Sequence, residues 1–393
     1  MRLLWVAAFT ICPETAPTPK GDGMEFAMFY EIPVARPWTR ESEYNAYQNT
    51  IEQAVLGDKM GFHSFWTVEH HFLEEYSHCS NPEVLYGHIA ALTENMRIGY
   101  GVRLLPKPYN HPVRTAESVA VLDLISNGRV EFGTGRSSTR AELEGFNIHP
   151  NETRAQWDEA LRHIVGCWTN DEYEFEGEYW SMPKRRVLPK PRQDPHPPIW
   201  GATSSVPGHY EIGKRGIGLC SFTVGQPPED LAERLEAFRK GHADCDEPVG
   251  AFRNERAATF TMVHCNETNE KARAAAEESF VWYPGYGGGL IASVADYLAD
   301  LEVAELGTYE YTGDAAKSRD EGLLGQITMD YIWESGAAVI GDPDRCVEIA
   351  KRYEAVGCDL LFCLFNPYKM AHEDVMTSIE LMGKYVIPEF KKS

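Results

Sequence analysis

The chain has 393 residues, of which 43% are hydrophobic and 24% charged, a balance typical of a water-soluble globular protein. Its 37 basic and 59 acidic side chains give a net charge of −22, so nucleic acid and anionic membranes are not expected as partners, because both repel a negative surface. Nine scattered cysteines without a CxxC pair indicate reduced thiols in the cytoplasm rather than a disulfide framework.

The first 23 residues differ from the rest of the chain. Arg2 and the apolar run after it resemble a short signal peptide, which three prolines between residues 13 and 19 then interrupt. We predict that residues 1–23 form an extension outside the core, with secretion as the alternative. No other run approaches the ~18 apolar residues of a membrane span.

From Met24 onward, apolar runs typical of buried strands alternate with segments of helical periodicity. Strands are predicted at residues 24–30, 62–68, 96–105, 129–134, 199–202, 218–222, 257–264 and 358–365. Helices are predicted at residues 43–60, 82–95, 112–126, 152–169, 228–242, 267–282, 342–356 and 372–390, with one more ending at residue 215. Eight strand–helix units predict one α/β domain at residues 24–393, a (β/α)8 TIM barrel with insertions. An open doubly wound sheet is the alternative, although no GxGxxG follows a strand.

Two segments fall outside this repeat. Residues 171–198 are irregular, with a short hairpin followed by many prolines. Residues 284–336 include four glycines between residues 285 and 289, which predicts a mobile insertion, either a disordered linker or an active-site lid.

The second predicted strand ends in three ionisable side chains, Glu69, His70 and His71. In a TIM barrel the C-terminal ends of the strands form the active site. Because successive strand residues point to opposite faces, His70 is expected on one side and the other two on the opposite side. The three therefore cannot close on one metal ion without a bend, and no metal site is predicted.

Other strand ends carry residues suited to an anionic ligand. The candidates are Gly101, Val102, Arg136, Arg154, Thr203, Ser204, Ser205 and Asn366. Two arginines and a Ser/Thr turn at a helix start suit a phosphate dianion, and a histidine opposite suits acid–base chemistry. The structural alternatives are a buried core histidine at 70, an ion pair of Arg136 with Glu142 or Glu144, and an ordinary helix N-cap in the Ser/Thr turn at residues 203–205.

Several ordered motifs resemble the bacterial luciferase-like flavin-dependent monooxygenases. They are residues 66–72 (WTVEHHF), 81–82 (NP), 111–114 (HPVR), 122–129 (LDLISNGR) and 132–136 (FGTGR). The resemblance implies a TIM-barrel enzyme that takes reduced FMN (FMNH2) from a separate NAD(P)H:flavin reductase. The flavin would react with O2 and oxidise a small organic substrate through a flavin C4a-peroxide. Relatives also imply a homodimer.

The resemblance also implies roles for individual residues. His70 matches the histidine needed for the peroxyflavin chemistry, and Glu69 beside it is the second candidate catalytic residue. Arg136 and Arg154 match the flavin phosphate side, as do Thr203 and Ser204. The Gly101–Val102 bond matches a position that often carries a non-proline cis peptide against the flavin ring.

The chain also departs from the luciferases. Gly135 stands where their α chains carry a reactive cysteine, so the resemblance does not extend to an aldehyde substrate or to light emission. One alternative is hydride transfer with deazaflavin F420, whose polyglutamyl tail requires a basic groove that this acidic chain does not show. The other is a non-catalytic flavin-binding subunit, against which the intact His70 argues.

Overall fold

The protein is described here by a computed structural model covering residues 23–222 and 224–391. Residues 1–22 of the predicted extension therefore lie outside the described residues. Within that range, no helix is both long and apolar enough to cross a lipid bilayer.

Twelve strands are found in the described residues. They are β1 (Glu25–Tyr30), β2 (Ser64–Thr67), β3 (Arg97–Tyr100), β4 (Arg103–Leu104), β5 (Val130–Gly135), β6 (Tyr173–Glu176), β7 (Ser181–Arg185), β8 (Ile199–Thr203), β9 (Gly218–Ser221), β10 (Ala257–Cys265), β11 (Val339–Gly341) and β12 (Leu360–Leu364). Eight of them pair in parallel in the order β1-β2-β3-β5-β8-β9-β10-β12, and β12 pairs again with β1. This closure confirms the predicted TIM barrel and excludes the open sheet.

The helices that connect the strands are also assigned in chain order. They are α1 (Ser42–Met60), α2 (Pro82–Leu92), α3 (Pro112–Ile125), α4 (Arg140–Gly145), α5 (Thr153–Thr169), α6 (Val206–Lys214), α7 (Ala232–Ala243), α8 (Asn269–Asp300), α9 (Glu310–Asp320), α10 (Met329–Ser335), α11 (Pro343–Ala355) and α12 (His372–Leu381). The predicted hairpin in the irregular segment is the antiparallel pair β6–β7.

The barrel interior is filled with large aromatic side chains. The rings of Trp66 and Trp200 meet edge to face with centroids 5.7 Å apart, and Trp66 lies 4.8 Å from Phe362. All three side chains are buried, so the barrel is a packed core, and its functional surface is the mouth at the C-terminal strand ends.

Gly133 on β5 illustrates how tightly neighbouring strands approach. A Cβ at this position would overlap the carbonyl oxygen of Tyr100 on β3, which is backbone and cannot rotate away. We expect Gly133→Ala to lower the free energy of unfolding by about 1–3 kcal/mol, the usual cost of overpacking a core. The matched control is Gly87→Ala in α2, where a Cβ has open space and the helix should gain roughly 0.5–1 kcal/mol. Thermal unfolding of the two variants checks the contrast.

The third predicted strand, residues 96–105, is wrong as a single element. It is divided into β3 and β4 by the Gly101–Val102 peptide bond, which is cis. The short strand β11 and helix α4 were also not predicted.

The predicted helix end at residue 282 is wrong as well, because α8 continues to Asp300 through Pro284 and the glycine-rich run. Packing outweighs the low helix propensity of proline and glycine here, since Val294 and Leu298 of α8 are buried with Leu143 in a second hydrophobic cluster. The segment 284–336 is therefore largely helical rather than a loop, and its mobility stays a prediction. We call residues 284–336 the insertion.

Candidate active site

His70 lies between two carboxylates at the mouth of the barrel. Its Nδ1 is 2.9 Å from Glu142 Oε1, and its Nε2 is 3.6 Å from Glu31 Oε2. Burial by itself would lower the pKa of His70, but Glu142, Glu31 and Glu69 raise it to about 9. The imidazole is therefore a cation at neutral pH, with Nε2–H as the proton that it can offer.

Glu142 holds His70 in place. This buried carboxylate also accepts hydrogen bonds from the hydroxyls of Ser137 (2.8 Å) and Thr139 (2.7 Å) and from the backbone N–H of His71 (3.1 Å). Burial would raise the pKa of Glu142, but the His70 cation and these hydroxyls lower it. Glu142 is therefore a charged anchor that fixes the orientation of the imidazole ring.

We expect Glu142→Gln to move the pKa of His70 from about 9 toward the ordinary histidine range. Because the folded-state pKa of wild-type His70 is raised, its proton stabilises the fold fully below about pH 6.5. That stabilisation is lost as the pH rises through about 9. The variant should thus lose about 1–3 kcal/mol of unfolding free energy at pH 7. Its unfolding free energy should also fall less steeply than that of the wild type between these two pH values.

NMR titration of 13C-labelled histidine and denaturant unfolding at several pH values measure both effects. The matched control is Glu144→Gln, two residues along α4, whose carboxylate is exposed and pairs with Arg140. An unchanged His70 titration in folded Glu142→Gln would contradict the assigned pairing.

Glu69 and His71 lie in the loop after β2, which ends at Thr67, so strand alternation does not apply to them, and their partners differ from those of His70. Glu69 accepts hydrogen bonds from the backbone N–H of Leu104 (2.9 Å) and from Asn110 Nδ2 (2.9 Å), and its Oε1 is 3.6 Å from His71 Nε2. Glu69 thus stabilises the segment that follows the cis Gly101–Val102 bond. A catalytic role for Glu69 stays a prediction. No group of three or more metal-ligating side chains is assembled within residues 23–222 and 224–391.

Arg136 follows β5 directly and faces the insertion. Its Nη1 donates to Thr308 Oγ1 (2.7 Å) and to Thr153 Oγ1 (3.2 Å), and its guanidinium lies 4.8 Å from the ring centre of Tyr309. It does not form the suggested carboxylate pair, because Glu142 binds His70 and Glu144 binds Arg140.

Arg154 opens α5 beside Arg136. Burial and the neighbouring cations Arg136 and Arg215 lower its pKa. Its Nε is buried without a hydrogen-bond partner among the described residues. A buried N–H donor beside a second guanidinium group needs an anionic acceptor, and a phosphate group would supply one.

The Thr203–Ser204 turn lies next to these arginines in the barrel. β5 pairs with β8 through Thr134 and Gly201, so Arg136 and Thr203, two residues further along, reach the same height at the mouth. The helix cap in this turn is Ser205, whose Oγ accepts from the N–H of Gly208 at 3.2 Å, so the helix-cap alternative is confirmed for that residue. The strand register therefore places Arg136 beside the turn that precedes α6, and Arg154 is a neighbour of Arg136.

Sequence analysis did not single out Glu31, Thr308 or Tyr283, and it named Glu142 only as an alternative partner of Arg136. Glu31 follows β1 directly, so the same rule that identified His70 at a strand end could have found it. Thr139 caps α4, with its hydroxyl accepting from the Glu142 N–H at 3.3 Å, and the T-x-x-E pattern could have revealed this helix.

Comparison with known proteins identifies the family of the chain as a whole. The family model described as luciferase-like monooxygenase matches residues 24–360. The oxygenase component of the flavin-dependent trigonelline monooxygenase of Acinetobacter baylyi is 27% identical over 384 residues, covering 94% of this chain and 96% of that protein.

Solved structures share the fold at low identity. The oxygenating constituent of 3,6-diketocamphane monooxygenase from Pseudomonas putida, in complex with FMN, has a TM-score of 0.71 at 22% identity and covers 94% of this chain and 99% of its own. An F420-dependent secondary alcohol dehydrogenase, in complex with an F420–acetone adduct, has a TM-score of 0.68 at 19% identity and covers 94% and 100%.

Proposed function

Because the chain belongs to the luciferase-like monooxygenase family, we propose that it is the oxygenase of a two-component, FMNH2-dependent monooxygenase. The observation that carries this proposal is the division of the mouth into two charged parts. A histidine cation lies just after β2, and two neighbouring guanidinium groups lie at the β5 side, one of them with a buried donor that has no partner in residues 23–222 and 224–391.

The chain's own residues fit the two ends of FMN. Arg154, Arg136, the Thr203–Ser204 turn and the first amides of α6 would hold the phosphate. The Gly101–Val102 segment would lie against the isoalloxazine ring. His70 would then present its Nε2–H to the reacting atoms, with its orientation fixed by Glu142.

Reduced FMN held by these residues would supply the electrons for O2 activation, and a small organic substrate would receive one oxygen atom. We further propose a separate NAD(P)H:flavin reductase as the source of FMNH2. A cytoplasmic location fits this NAD(P)H chemistry and the eight unpaired, buried cysteines of the described residues.

The test is rapid mixing of the FMNH2-loaded protein with oxygenated buffer. We expect a transient absorbance of the oxygen adduct before oxidised FMN appears, and reductase-coupled oxygen consumption by the isolated chain. Direct reoxidation at the rate of free FMNH2 would overturn the proposal, and a chain that binds flavin without turnover would be the non-catalytic subunit.

Hydride transfer with F420 remains the second candidate, since an F420-dependent dehydrogenase shares the fold over 94% of this chain. The net charge of −22 disfavours the anionic tail of F420. We expect the affinity for FMN to exceed that for F420, and equilibrium titration of both cofactors under the same salt conditions decides between them.

We also propose a homodimer that forms through α2 and α3. Apolar side chains are exposed on these adjacent helices, with Val84 73% and Ile125 60% accessible and Leu92, Val121 and Leu124 also exposed. Such a cluster on a soluble protein marks an interface. We expect Ile125→Glu to give a monomer by light scattering, whereas the control Leu301→Glu, an exposed leucine after α8, should leave the dimer intact. A monomeric wild type would contradict this proposal.

A further inference from the structure

Glu31 is a second carboxylate at His70 that neither the family motifs nor the sequence analysis singled out. It lies directly after β1 and is 4% exposed. Its Oε2 is 3.6 Å from His70 Nε2 and has no hydrogen-bond partner among the described residues. The imidazole is thus anchored through Nδ1 by Glu142 and faces an unsatisfied carboxyl oxygen through Nε2.

Two phenols connect Glu31 to a more exposed part of the molecule. Tyr283 on α8 donates from its hydroxyl to Glu31 Oε1 at 2.9 Å, and the hydroxyl of Tyr76 donates to that of Tyr283 at 2.7 Å. Tyr283 is buried, whereas Tyr76 is partly exposed. The contacts form one unbranched chain, Tyr76–Tyr283–Glu31, which ends at His70.

We propose that Glu31 is the proton-exchange partner of His70 and that Tyr283 and Tyr76 connect it to solvent. This inference rests on the proposed function, in which FMN and substrate cover the mouth and block direct access of water to the imidazole. Glu31 is then the one acid facing Nε2 among the described residues, so a proton given up by His70 is replaced from its carboxyl group.

The proton balance is closed. His70 Nε2–H gives its proton to the reacting oxygen, and the Glu31 carboxylate takes the hydroxyl proton of Tyr283 at Oε1. Tyr283 receives the hydroxyl proton of Tyr76, which is restored from water. A half-turn of the now neutral carboxyl group brings its proton to Nε2 of the neutral imidazole, which returns His70 to the cation and Glu31 to the carboxylate. The net result is one proton moved from solvent to the reacting oxygen.

The charged and polar groups around Glu31 and His70 support proton exchange between them near neutral pH. Glu31 is faced by His70, Glu142, Tyr283 and Tyr76, and burial raises its pKa to about 6 despite the opposing effects of His70 and Tyr283. His70 is faced by Glu142, Glu31 and Glu69. A carboxyl group that titrates in this range can both give and accept a proton in the cell.

The first test titrates His70 by NMR with 13C-labelled histidine in the flavin-free protein. Glu31→Gln removes a negative charge that raises the His70 pKa, so we expect the pKa to fall by at least about 0.5. An unchanged pKa in folded Glu31→Gln would overturn the proposal. This measurement does not depend on flavin chemistry, so it tests the pairing of Glu31 with His70 even if the FMNH2-loaded wild type forms no oxygen adduct and the proposed function fails.

The second test compares Tyr283→Phe with Tyr286→Phe, and it keeps the proposal falsifiable if Glu31→Gln does not fold. Tyr286 lies on the same helix and stacks on Tyr76 with centroids 6.0 Å apart, but its hydroxyl is outside the proton chain. The measurement is the rate of flavin reoxidation after the FMNH2 complex is mixed with oxygen, from pH 5.5 to 9. We expect a 5- to 10-fold slower rate in Tyr283→Phe above pH 7 and a wild-type profile in Tyr286→Phe. Equal pH profiles of flavin reoxidation in the two variants would refute the proposed proton path through Tyr283.

Discussion

Replacement of His70 by asparagine should lower the turnover of reductase-coupled substrate oxidation by about 100-fold or more, the lower end of what a positioned acid–base group contributes. The physical reason is the loss of a cationic N–H donor that two carboxylates keep charged up to a pH of about 9. Asparagine can still donate to Glu142, but it offers no proton to the reacting oxygen. Stopped-flow absorbance and oxygen consumption measure the loss.

Two further measurements show whether this loss is chemical. Binding of FMN should change by less than about threefold, because the phosphate residues lie at the other end of the mouth. His78→Asn is the matched control, since His78 lies in the same loop and pairs at the surface with Glu43 at 2.8 Å. If His70→Asn kept wild-type turnover, the histidine would be a core residue rather than part of the chemistry.

Arg154→Ala should weaken FMN binding by about 10- to 100-fold, since a charge-assisted hydrogen bond contributes about 1.5–3 kcal/mol and about 1.4 kcal/mol corresponds to a factor of ten. Arg154 has a buried donor with no partner among the described residues, whereas Arg136 already donates to Thr308 and Thr153. The loss should therefore be larger for Arg154 than for Arg136. Fluorescence titration with FMN gives the dissociation constants.

Riboflavin provides the decisive comparison because it lacks the phosphate. Its affinity should be the same in wild type and Arg154→Ala, so the difference between the two flavins isolates the phosphate contact. Arg162→Ala on the same helix, with a side chain 61% exposed, controls for the change of charge. If Arg154→Ala weakened the binding of FMN and riboflavin equally, Arg154 would not contact the phosphate.

The barrel was predictable because each strand–helix unit carries its own local signal. Apolar runs typical of buried strands and segments of helical periodicity mark the units without long-range information. The histidine at the end of β2 followed from the same pattern, since polar residues at the C-terminal ends of buried parallel strands have few structural reasons to be there.

The partners of the site residues were much harder to predict. Glu31 and Tyr283 are 252 residues apart in sequence, and Arg136 and Thr308 are 172 apart, and no local pattern specifies such contacts. The course of α8 through Pro284 contradicts helix propensity and depends on a second hydrophobic cluster that forms only in the folded chain. Long-range packing, rather than local sequence propensity, determines both the partners of the site residues and the course of α8.

Helix α8 and the insertion reach both charged parts of the mouth, through Tyr283 at Glu31 and through Thr308 at Arg136. If they lift together to admit a cofactor, the carboxyl group beside the imidazole loses its phenol in the same movement that frees the guanidinium for a phosphate. The proton path from Tyr76 to His70 would then be complete only when α8 and the insertion are in the position seen here. An open enzyme could therefore bind its cofactor without being able to deliver protons to it.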